Sequence, residues 1–120
     1  MKRLYALRGA VQCENTAEDI CGQIGIMYDE LLSRNKLETQ DIVSIIFSVT
    51  DDLDAVNPSS ALRKYSGGAG DYSLFSVQEP NCKNSLERTV RVIIHCYLPH
   101  DSAIHHVYLN GAEVLRPDRK

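Results

Sequence analysis

Apolar and polar positions alternate in several short runs of this chain and recur every three or four residues in one long run. Lys2 to Cys13 reads as a first strand, with Leu4, Ala6, Arg8 and Ala10 on one face and Arg3, Tyr5, Leu7 and Gly9 on the other. Gly9, directly after Arg8, predicts a bulge or a backbone that something approaches closely. Asn15 followed three residues later by Glu18 predicts a capping box that opens a helix. In that helix Ile20, Ile24, Met27 and Leu31 recur at helical spacing, flanked by Cys21, Tyr28 and Leu32, so one apolar stripe lies across a sheet. Gly22 and Gly25 predict close approach to a neighbouring backbone, and the helix ends near Asn35 or Lys36.

Ile42 to Thr50, IVSIIFSVT, is rich in β-branched and apolar residues and predicts a central strand covered on both faces. Asp51, Asp52 and Asp54 follow in a solvated turn without the glycine or spacing of a calcium loop. Asn57 caps a short helix with Pro58 at its first position, and Ser66, Gly67 and Gly68 end it. The run Gly67 to Gly70 lacks the spacing of a phosphate loop and reads as a connector. Tyr72 to Gln78 is a third strand, Pro80 to Glu87 a loop or helical turn, and Thr89 to Tyr97 a fourth strand. Asn110-Gly111 predicts a hairpin joining His106 to Leu109 with Ala112 to Leu115. Two helices and about six strands give an α+β fold, a mixed sheet with its helices on one face. The other face must be covered, and self-association is the simplest way.

Three charges break this pattern. Arg91 sits inside TVRVIIHCY, on the face opposite Val90 and Val92, and Glu79 lies between this strand and the one before it. Arginine stays charged and is costly to bury unpaired, so Arg91 implies an ion pair, a solvent-facing sheet, or an anionic ligand or transition state. Arg8 is a second charge in an apolar strand, and taken alone it also fits a surface arginine near a strand end.

Composition narrows the classes. The 120 residues read as one domain, and 43% apolar residues with a formal net charge of -3 describe a soluble protein with no electrostatic case for nucleic acid. Cys13, Cys21, Cys82 and Cys96 form no CxxC pair, and reduced thiols are expected. His95, His100, His105 and His106 match no zinc spacing, and no metal is expected. Arg8 interrupts the N-terminal apolar run and no 18-residue apolar span follows, so a cytoplasmic protein without a membrane partner is expected.

Taken in order, RGA at Arg8 to Ala10, VTDDLDAV at Val49 to Val56, the Pro58 to Arg63 helix, Gln78-Glu79, Arg91-Val92, HVYL at His106 to Leu109 and LRPD at Leu115 to Asp118 resemble one family. It is the monofunctional chorismate mutases of the AroH class, and the resemblance covers essentially the whole chain. It implies a homotrimer whose sheet core resembles an α/β barrel, with active sites in clefts between subunits. It also implies the rearrangement of chorismate to prephenate, on the route to phenylalanine and tyrosine, without metal, cofactor or covalent intermediate.

By position, the resemblance makes Arg91 the catalytic cation beside the ether oxygen, Glu79 the acceptor for the ring hydroxyl, and Arg8 and Tyr108 carboxylate binders. Arg63, Ser59, Ser60, Leu74, Phe75, Ser76 and Leu115 match pocket-lining positions, and Arg116 its C-terminal edge. Asn57 stands where the family commonly has an aromatic wall, Ser60 where a residue can be basic, and Ser76 where a cysteine can occur. Two other readings are an imine deaminase of the Rid type, which also grips a carboxylate with arginine, and a non-catalytic trimer binding a carboxylate metabolite.

Overall fold

The computed structural model describes residues 1–66 and 72–115. The Gly67 to Gly70 connector and Arg116 lie outside them. Strand β1 (Lys2–Gln12) leads into helix α1 (Ala17–Asn35), and a 3-10 turn (Thr39–Asp41) leads into β2 (Ile42–Val49). Helix α2 (Pro58–Tyr65), β3 (Ser73–Gln78), β4 (Thr89–Pro99), β5 (Val107–Leu109) and a 3-10 turn (Ala112–Leu115) follow. The strands form a five-stranded sheet in the order β3-β2-β4-β1-β5. β4 pairs antiparallel with both β1 and β2, whereas β3 joins β2 and β5 joins β1 in parallel.

One face of the sheet builds the core. Leu7, Val11, Ile45, Phe47, Val90, Val92 and Ile94 are buried from the strands, and Ile20, Ile24, Met27 and Leu31 of α1 meet them as the helical spacing predicts. Ala61 and Leu62 bring α2 into the same cluster. Gly25 lies so close to the Tyr65 ring that an added Cβ would sit 2.5 Å from it, so the close approach there is to a side chain of α2 and not to the backbone expected. Gly22 has nothing within 4 Å of the same added atom. At Gly9 the close approach is real and there is no bulge: an added Cβ would lie 2.9 Å from the carbonyl oxygen of Val107 on β5. The bulge falls in β2, between Ile42 and Ser44.

Three expectations are corrected. Thr16, rather than Asn15, caps α1 by accepting from the Asp19 N–H, and the Asp19 carboxylate accepts from the Glu14 N–H. Asn15 is engaged elsewhere, accepting from the backbone N–H groups of Asp54 and Ala55. β4 rather than β2 takes the middle of the sheet, and β2 is covered on one face, with Ile42, Ile45 and Phe47 buried and Ser44, Ile46 and Ser48 half-buried. The hairpin does not form. Asn110 and Gly111 do take positive φ, but Asn110 donates to the Gln12 carbonyl, and the chain then winds into the 3-10 turn, where Ala112 and Leu115 pack on Tyr108 and Ala10. Among the described residues, no helix is long and apolar enough to cross a membrane.

Candidate active site

The face turned away from the helices is where the strand charges lie. Side chains alternate along a strand, so residues facing one another across the ladders form rows on one surface. One row runs Val77, Ser48, Arg91, Ala10, Tyr108 from β3 to β5, and the next runs Phe75, Ile46, Ile93, Arg8. The burial of Val90 and Val92 on the other side leaves Arg91 on this one. Arg8, Arg91 and Tyr108 therefore converge, and with Ile46, Ser48 and Ile93 they line an open cavity of about 320 Å³.

β5 is short, and other contacts hold it in place. The buried Asn35 at the end of α1 clamps the chain just before it, donating to the His105 carbonyl and accepting from the His105 N–H at 2.7 Å. The Arg8 N–H donates to Nδ1 of His106. These contacts seat Tyr108 beside Ala10, with its ring buried against Ala112 and Leu115. Leu115 thus supports the tyrosine.

Glu79 follows the end of β3, and its N–H continues the ladder by donating to the Val49 carbonyl at 2.8 Å. Its carboxylate receives the Ser48 hydroxyl at 2.5 Å and lies 3.7 Å from Nε of Arg91, both through Oε1. The site so far has two guanidiniums, one carboxylate, a phenol and an apolar floor. Among the described residues it contains no thiol and no metal-ligating set, and the groups present suit binding an anion and presenting fixed positive charge.

The remaining predicted residues stand apart. Asn57 caps α2 by accepting from the Ser59 N–H, as expected, and its Oδ1 also accepts from the Ser76 hydroxyl at 2.8 Å. The Ser59 and Ser76 hydroxyls are 2.6 Å apart. Asn57 and Ser76 line a second cavity, over the Asp51 to Asp54 turn, and among the described residues none from α2 lines the cavity of Arg8 and Arg91. Ser60 and Arg63 are exposed on α2. Phe75 is 63% exposed on the open sheet face, whereas its neighbour Leu74 packs against the helix-side core. Within one chain, then, the expected pocket is in two parts. Ile46, Ser48 and Ile93 line the cavity without having been candidates from the sequence, and of these Ser48 is the polar one.

Sequence and structure comparisons converge on one family. The family model described as chorismate mutase type I matches residues 4–119. Chorismate mutase AroH of Bacillus subtilis (strain 168) is 33% identical over 118 residues, covering 96% of this chain and 91% of that protein. Chorismate mutase AroH of Thermus thermophilus is 33% identical over 116 residues, covering 93% of each. The solved chorismate mutase from Clostridium thermocellum superposes with a TM-score of 0.82 at 39% identity, over 92% of this chain and 98% of that one.

Proposed function

The chain belongs to the type I chorismate mutases and shares their isomerase activity, and from that premise we propose how its own residues carry the reaction and how its copies assemble. Chorismate rearranges to prephenate within one molecule: the ether C–O bond breaks as a new C–C bond forms, and no group enters or leaves. Catalysis therefore requires holding a flexible dianion in its compact conformer and stabilising the negative charge that grows on the ether oxygen. Arg91 is the cation placed at that oxygen. Arg8 and Tyr108 hold a carboxylate, and Glu79 accepts the ring hydroxyl. The observation that carries this reading is the convergence of Arg8, Arg91 and Tyr108 on one cavity.

Two arginines beside one carboxylate leave a single net positive charge for a substrate carrying two negative ones. A neighbouring copy supplies what is missing: Arg63, Ser59, Ser60 and Phe75 of one subunit complete the cavity of the next. The open face supports this assembly. Leu4, Phe75, Val77 and Tyr97 are all at least 43% exposed in the single chain, and several such side chains together on one surface mark an interface. We read the assembly as a homotrimer of one domain per chain, working in the cytoplasm.

The test is the loss of chorismate absorbance on adding purified protein, with Arg91→Ala as the control for contaminating mutase. Saturable conversion to prephenate, absent in the variant, is the expected result. Equal conversion by the variant would overturn the role of Arg91. Turnover of imino acids without chorismate conversion, or chorismate binding without conversion, would favour the deaminase or the binding module.

A further inference from the structure

Ser48 lies between the two charges of the site. It faces Arg91 across β4 and Val77 across β3, in the same row, and its hydroxyl donates to Oε1 of Glu79 at 2.5 Å. β2 thus holds Glu79 twice in succession: the Val49 carbonyl takes its backbone N–H, and Ser48 takes its side chain. The Arg91 guanidinium approaches the same Oε1 only to 3.7 Å.

At that spacing the two do not close into the two-pronged pair with parallel N–H···O bonds that a carboxylate and an arginine frequently form. Such a pair would occupy the guanidinium donors that the ether oxygen needs, and both oxygens of the carboxylate. We propose that Ser48 is a positioning residue that prevents this collapse. By satisfying Oε1, its hydroxyl keeps Glu79 short of Arg91, leaves Oε2 to accept the substrate hydroxyl, and leaves the Arg91 fork to the breaking bond. A hydroxyl suits the task because it donates to the carboxylate without adding a second charge beside Arg91. The proposal rests on the role given to Glu79, and its test separates the two.

Steady-state kinetics of Ser48→Ala, Ser48→Thr and Ser48→Val are measured alone and in a Glu79→Gln background. Removing a hydrogen bond to a charged group corresponds to about a ten- to hundredfold change, so kcat of Ser48→Ala falls by that factor while KM moves much less. Thr and Val have the same shape, so recovery of most of the lost kcat by Ser48→Thr but not by Ser48→Val assigns the effect to the hydroxyl and not to packing. In the Glu79→Gln background the Ser48→Ala loss shrinks to less than about twofold, because residues acting through one another are not additive. Equal losses in both backgrounds, equal behaviour of the Thr and Val variants, or unchanged kcat in Ser48→Ala would overturn the role of Ser48. Unchanged kcat in Glu79→Gln alone would instead remove the role of Glu79, and with it the basis of the proposal.

Discussion

Nε of Arg91 stands 3.7 Å from Oε1 of Glu79, a separation that makes them an ion pair without a hydrogen bond between them. The Arg91 side chain is 45% exposed and that of Glu79 24%. A pair so open to solvent contributes about 0 to 1 kcal/mol to stability. Under the proposed mechanism its value is in the reaction, where preorganised charge counts. Arg91→Ala should therefore lose at least about a hundredfold in kcat/KM. Its melting temperature should stay within a few degrees of the parent, as a thermal melt would show. Arg91→Lys should also lose much of the rate, since a point charge replaces a planar fork. Full activity in the lysine variant would contradict the assignment.

The division of the pocket between α2 and the open sheet face has its own consequence. If each site takes Arg91 from one subunit and Arg63 from another, two inactive variants can repair one another. Arg91→Ala and Arg63→Ala, unfolded together and refolded as a mixture, should recover a fraction of parental activity that neither shows alone. A site contained within one chain predicts no recovery. Sedimentation or light scattering at micromolar concentration checks the assembly itself, with three chains expected.

Two glycines should respond in opposite directions to the same substitution. Gly9→Ala would bring a methyl group against the Val107 carbonyl, a backbone atom that cannot turn aside, with Met27 and Val92 also close. A loss of about 1 to 3 kcal/mol is expected, as for other overpacked cores. Activity should fall as well, because the strand pushed away carries Tyr108. Gly22→Ala meets nothing, and replacing an exposed mid-helix glycine should gain about 0.5 to 1 kcal/mol. Urea unfolding of both variants measures these changes.

The strand charges were legible in the sequence because alternation is local: placing Val90 and Val92 inside fixes Arg91 outside. What remained hidden depended on distant partners. Asn15 and Thr16 are both competent caps, and the choice between them was made by Asp54 and Ala55, whose amides needed an acceptor. Asn110-Gly111 turned as its residues demand, but a parallel pairing of β5 with β1 leaves no local pattern, and Tyr108 offered Ala112 and Leu115 a surface to pack on. Ser48 carries no local signal within its apolar strand, since its carboxylate partner is far along the chain.

The cysteines predict the alkaline behaviour of the fold. Burial, with Asp19 adding to it and Arg88 opposing it, pushes the Cys13 thiol from 9.0 up to about 12, and burial with Asp41 pushes Cys96 to about 11. Above pH 9.0 the unfolded chain gives up these protons while the folded chain keeps them. The folded state then binds more protons, so stability falls as pH rises. The contribution is complete below the unfolded value and is lost through about 12 for Cys13. Melting temperatures should decline from pH 9 upward, and Cys13→Ala should decline less steeply. With a thiol reagent at neutral pH, the exposed Cys82 should react in the native protein, and Cys13 and Cys96 only after unfolding.

The row from Val77 to Tyr108 crosses every strand of the sheet, so the aim of Arg91 is set by the pairing of the ladders and not by a loop of its own. A slip of β4 by one residue would send Arg91 into the hydrophobic interior and expose Val90 and Val92. Such a chain could not fold stably. Misfolding and misdirected charge are in this sheet the same error, and a molecule that passes the test of compactness has already aligned its chemistry.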